Sequence, residues 1–179
     1  IRLPNTFPSV EGTTVSPSIG GGSNWWSPSY SPRTDLLYVM AYDGETTYFI
    51  RDDEYVAGDR FTGGGGSTPL PQDNYVSAVR AISPQTGERV WEYIVQARST
   101  AGVLSTAGDV VFSGTIDGFF FALDAETGRP VSEFGTDGIV DLKTQMDQEM
   151  DLIDGDVGLH AAPVVAGNTI IVGAAHTPG

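Results

Sequence analysis

The chain has 179 residues, enough to bury a sizeable core in one or two domains. Its formal net charge of −14 excludes a nucleic-acid partner, which needs a basic counterion-releasing surface, and works against docking on an anionic membrane. No apolar run reaches the about 18 residues of a membrane span, and the absence of cysteine leaves neither a disulfide nor a thiolate metal site.

Chain order begins at Ile1, without a methionine or a signal-like apolar region, which reads as a processed chain or a fragment. Residues 1–19, punctuated by Pro4, Pro8 and Pro17, have no period and are expected to be an irregular lead-in. Residues 20–32 read GGGSNWWSPSYSP. Three glycines deny the chain a regular element, and two adjacent tryptophans cannot face one core from a strand, whose side chains alternate. Either a packed structural corner or a ligand-contacting loop fits Trp25 and Trp26. Leu36 to Tyr42 then reads as a strand. Residues 43–74 are expected to form a long surface excursion: Asp52, Asp53 and Glu54 read as a solvated acidic cluster, and Gly63 to Gly66, with no lysine nearby, as a flexible connector.

From Val76 onward the pattern repeats. Arg80-Ala81-Ile82-Ser83-Pro84-Gln85-Thr86-Gly87 returns 41 residues later as Phe121-Ala122-Leu123-Asp124-Ala125-Glu126-Thr127-Gly128. A second phrase, Ala107-Gly108-Asp109-Val110-Val111-Phe112-Ser113-Gly114, is echoed by Ala166-Gly167-Asn168-Thr169-Ile170-Ile171-Val172-Gly173 and more faintly at Thr34 to Val39. Each is a tight turn followed by a nearly continuous apolar strand, as burial on both faces requires. Strand-only repeats of about 40 residues predict an all-β fold, a partial β-propeller of about three four-stranded antiparallel blades in a single domain over residues 1–179. The remaining blades come from a longer polypeptide or another chain. One helical window, Leu142 to Ile153 with Met146, Met150 and Ile153 in phase, predicts a single short helix ended by Gly155.

Ala81-x-Ser83-x-x-Thr86-Gly87-x-x-x-Trp91 resembles the tryptophan-docking motif of the quinoprotein alcohol dehydrogenases, in which alanine and tryptophan of successive blades stack to lock the ring. Gly22 to Pro32 and Ala101 to Phe112 resemble the C-terminal half of those enzymes, in the same order. The resemblance implies an eight-bladed propeller holding pyrroloquinoline quinone beside Ca²⁺ or a lanthanide. It also implies oxidation of an alcohol in the periplasm, with electrons passed to a cytochrome or a quinone. Asn24 and Trp25 match the family's cofactor-lining Asn-Trp pair, and an amide beside an indole suits an anionic planar quinone; Trp26 is expected to pack. No residue matches the family's metal ligands, catalytic aspartate, adjacent-cysteine disulfide or tryptophan floor. The chain therefore offers no catalytic and no metal residue of its own, and the ligands of the metal are expected outside it. Ser132 stands where a second docking tryptophan belongs. Glu133 to Leu142 instead resembles a phrase of the membrane-bound glucose dehydrogenase branch, which admits a sugar as substrate.

Other candidates carry less. His160 and His176 lack metal-ligand spacing and read as surface or hydrogen-bonded residues. Asp151, Asp154 and Asp156 around Gly155 miss the calcium-loop pattern, and Ser105-Thr106 has neither a glycine elbow nor a base. The competing function is a non-catalytic propeller scaffold or partner-binding module that binds no cofactor.

Overall fold

The computed structural model describes residues 4–18, 20–67, 76–95, 99–145 and 157–175. They divide into two compact units, residues 1–22 with 43–75 and residues 23–42 with 76–179.

The larger unit is a succession of antiparallel sheets. The first is built from β2 (Ser29–Ser31), β3 (Leu36–Asp43), β6 (Val76–Ile82) and β7 (Arg89–Val95), in the order β2-β3-β6-β7. The second runs β8 (Leu104–Ser105), β9 (Val110–Gly114), β10 (Phe119–Asp124) and β11 (Ile139–Asp141), again with neighbouring strands in sequence order. Two hairpins follow, β12 (Gly158–Leu159) with β15 (Ala174–Ala175) and β13 (Val164–Ala166) with β14 (Thr169–Ile171). Two complete four-stranded meanders and the strand pairs of a third make this the expected partial propeller.

Both repeated phrases occupy equivalent places. Thr86-Gly87 and Thr127-Gly128 each close the turn after the third strand of a sheet, with φ of 75° and 70° at the glycines. Gly87 N–H donates to Ser83 O at 2.8 Å, and Gly128 N–H donates to Asp124 O at 2.9 Å. The second phrase gives the hairpin between first and second strands, where Asp35 and Asp109 take φ of 54° and 57°. Asp tolerates that left-handed backbone better than most side chains.

The middle strands are covered on both faces, so Tyr38, Val79, Val111 and Leu123 are fully buried. Each apolar side chain so buried contributes roughly 1.5–3 kcal/mol. In the second sheet Phe112 and Phe120 stack at 5.7 Å and Phe134 sits edge-on to both. Phe134 comes from the segment that lacks a docking tryptophan. There Val131 N–H bonds to Ala122 O at 2.9 Å, the chain loops out over residues 132–138, and β11 then pairs with Phe119 to Phe121. The fourth strand of this sheet is thus split, and an aromatic ring turns into its own sheet's core.

In the other unit, β1 (Thr13–Val15) pairs with β4 (Thr46–Ile50), which pairs with β5 (Gly64–Ser67). The lead-in and the excursion, apart in sequence, therefore share one sheet. The expected flexible connector over Gly63 to Gly66 is corrected by the pairing of Gly64, Gly65 and Gly66 with Ile50, Phe49 and Tyr48; backbone groups suffice for a ladder, so a glycine run needs only a partner strand. The predicted helical window opens as one 3-10 turn, Leu142–Gln145. Met146, Met150 and Ile153 lie outside the described residues. Among the described residues, no helix is long and apolar enough to cross a membrane.

Candidate functional site

The first strands of successive sheets lie against one another. Ser29 Oγ and Ser105 Oγ are 2.7 Å apart, Ser105 N–H donates to Ser29 Oγ at 2.9 Å, and Val103 N–H donates to Ser27 O at 2.9 Å. Toward the third sheet, a Cβ placed on Gly102 would lie 2.7 Å from Ala162 Cβ, so only glycine admits this approach. A groove of ≈ 610 Å³ separates Tyr93, Ile94 and Val95 from Thr115, Phe119 and Ile139. Beside this groove the last strand of the first sheet still reaches the second, with the Tyr93 and Phe121 rings 5.3 Å apart.

Three segments lead into strands that begin a sheet or strand pair. Asn24, Trp25 and Trp26 lead into β2, Ser99 and Thr100 lead into β8, and His160 precedes β13. Asn24 Oδ1 accepts the backbone N–H of Trp25 at 2.8 Å. The two tryptophans diverge: Trp25 is 71% exposed and Trp26 only 7%. Trp26 meets the Tyr42 ring edge-on at 6.2 Å, and its Nε1 is buried with no hydrogen-bond partner among the described residues.

His160 was expected to be a surface or hydrogen-bonded residue, and it is both: it is exposed, and its Nδ1 is 2.7 Å from Oγ1 of the buried Thr100. Sequence reasoning did not single out Thr100. The signal was the repeat itself, since Thr100 and His160 each stand shortly before a first strand. Ser105 is held by Ser29, and Thr106 Oγ1 donates to Val110 O, so neither hydroxyl has a general base. Among the described residues no group of three His, Cys, Asp or Glu side chains comes together. Asp151, Asp154, Asp156 and His176 lie outside the described residues.

The two sheets are also tied at their later strands and at their hairpin tips. Trp91 Nε1 donates to Ala125 O at 3.1 Å, and Tyr38 Oη donates to the same carbonyl at 3.0 Å. The Trp91 ring lies so close over Gly128 that a Cβ there would be 2.5 Å from it. Ala81 faces Trp91 within the same sheet, so the contact to the next sheet goes to a carbonyl and a glycine. Burial holds the Tyr38 phenol above its ordinary pKa, so it remains a donor at neutral pH. At the hairpin tips, Arg33 pairs with Asp109 through two bonds of 2.7 and 2.8 Å. This guanidinium holds the Asp109 carboxyl below the usual carboxylate range.

Residues 72–179 match the family described as PQQ: glucose/ethanol/alcohol dehydrogenase, beta-propeller domain. The chain is 40% identical over 127 residues to the quinoprotein alcohol dehydrogenase PedE of Pseudomonas putida, covering 70% of this chain and 20% of that one. It is 30% identical over 128 residues to the lanthanide-dependent methanol dehydrogenase of Methylacidiphilum fumariolicum, covering 67% and 20%. Among solved structures, a europium-containing methanol dehydrogenase superposes with a TM-score of 0.62 at 25% identity over 84% of this chain and 23% of that one. A quinohemoprotein alcohol dehydrogenase from Pseudomonas putida gives 0.68 at 22% identity over 94% and 24%, a likeness of fold. The chain spans about a fifth of the length of the curated relatives it matches.

Proposed function

Because the chain belongs to the PQQ glucose/ethanol/alcohol dehydrogenase β-propeller family, we propose that it supplies blades and one cofactor-pocket wall of a periplasmic dehydrogenase that oxidises an alcohol or a sugar. The rest of the ring comes from a longer polypeptide. The observation that carries this reading is the divergence of the tryptophan pair ahead of β2, with the Trp25 ring 71% exposed next to Asn24 and Trp26 buried. An exposed ring for stacking and the amide of the preceding residue fit a planar quinone bearing carboxylates. When bound, the quinone supplies the two-electron acceptor that an alcohol needs to become a carbonyl compound. Trp25 covers one part of its surface and excludes water there, and Asn24 sets its orientation, while Trp26 packs against Tyr42. Ca²⁺ or a lanthanide would be ligated from outside this chain, whose sequence matches none of the family's metal-ligand motifs. The Trp91 contact with Ala125 and Gly128 is read as the family's docking of blade on blade. Electrons leave to a cytochrome or a quinone.

The test uses the full-length product loaded with pyrroloquinoline quinone and Ca²⁺. Trp25→Ala and Asn24→Ala should each lower retained quinone absorbance and weaken binding on the order of tenfold, about 1.4 kcal/mol. Binding unchanged in both variants would move the pocket elsewhere. A wild-type protein that retains no quinone would leave the scaffold reading in its place.

A further inference from the structure

The connection from β4 to β5 is a closed loop with an unusual surface. Arg51 N–H bonds to Gly63 O at 3.0 Å and closes its neck, while Asp59 N–H donates to Val56 O at 3.1 Å and folds its tip. Compact loops with tied ends, packed by their own side chains, are frequently functional. Here the packing is Tyr55 edge-on to Phe61 at 5.7 Å. Yet Tyr55 is 63% exposed, Val56 55% and Phe61 48%. The aromatic pair thus organises the loop without being buried by the rest of the molecule. Around it stand Asp52, Asp53, Glu54 and Asp59, all exposed, against Arg51 and Arg60.

An apolar centre within a charged rim is the anatomy of a protein-binding patch. The acidic rim, on a chain of net charge −14, selects a basic partner and speeds encounter with it. An anionic lipid surface would be repelled by the same charges. We propose that the loop of residues 51–63 is the docking site of a small basic protein. Tyr55, Val56 and Phe61 form its apolar centre, and Asp52, Asp53, Glu54 and Asp59 its steering rim. The inference leans on the proposed function only in taking an electron carrier as probe.

The experiment titrates the full-length protein with a basic c-type cytochrome at low and at physiological salt. Binding should weaken steeply with salt. It should fall at least tenfold in Tyr55→Ser/Phe61→Ser, and also in Asp52→Asn/Asp53→Asn/Glu54→Gln, with thermal midpoints unchanged. No binding by the wild type, equal binding by the variants, or binding indifferent to salt would each overturn the proposal. So would a Tyr55 that the full-length protein protects from nitration, which would mean that its own chain covers the loop. Binding to phosphatidylglycerol vesicles that is lost in Tyr55→Ser/Phe61→Ser would assign the tip to a membrane instead. Loss of quinone binding with cytochrome docking intact would sink the dehydrogenase reading and leave this one standing.

Discussion

Asp109 does two jobs at once, taking a left-handed backbone at the hairpin tip and pairing with Arg33 of the preceding hairpin. Its folded carboxyl is lowered from the ordinary 3.8, with the bond to Arg33 as the leading cause. The sign follows from linkage. The ion pair's contribution is fully present above pH 3.8 and is lost as pH falls through the lowered folded value. Asp109→Asn should therefore depress the thermal midpoint slightly at pH 7, and the difference from wild type should vanish in acid. A difference that persisted unchanged in strong acid would show that the backbone, not the charge, makes the residue matter. Arg33 is more than half exposed, so the neutral-pH effect should stay small and shrink with salt.

Among elements, β7 has the task of holding the next sheet. Trp91 reaches across with one hydrogen bond to Ala125 and a ring laid on Gly128, and Tyr38 from β3 joins it at the same carbonyl, the two rings 5.6 Å apart. Trp91→Phe keeps most of the ring contact and removes the bond, for a cost of about 1 kcal/mol. Trp91→Ala removes both and should cost roughly 2–3 kcal/mol, below the range for a fully buried tryptophan because this ring is only half-buried. Denaturant midpoints of the two variants in the full-length protein check the order; an alanine variant no weaker than phenylalanine would refute the latch. The second sheet shows the same element without this device. Its fourth strand is split by residues 132–138, and Phe134 fills its own core.

For the whole molecule, the share of each relative that the chain covers decides what it can do alone. At 20% of the length of PedE, and with no cluster of metal-binding side chains among the described residues, it should not turn over in isolation. The 179-residue chain given quinone and Ca²⁺ is expected to show no alcohol-dependent dye reduction, whereas the longer polypeptide does in the same assay. Turnover by the short chain would mean that its own residues hold the metal and the base. Sequence alone was enough for the repeat, because a hairpin turn and a doubly buried strand impose residue types locally: glycine after threonine at two corners, and apolar runs such as Val110 to Phe112. It was enough, too, to mark Asn24, Trp25 and Trp26 as unusual, since adjacent tryptophans must part. Sequence could not show that Thr100 would meet His160, or that the lead-in would pair with the excursion. Nor could it show that a glycine run would be a strand. Those outcomes depend on contacts between residues tens of positions apart, whose partners are chosen by how the sheets stack and how close their first strands come, and no local pattern of residue types encodes that distance.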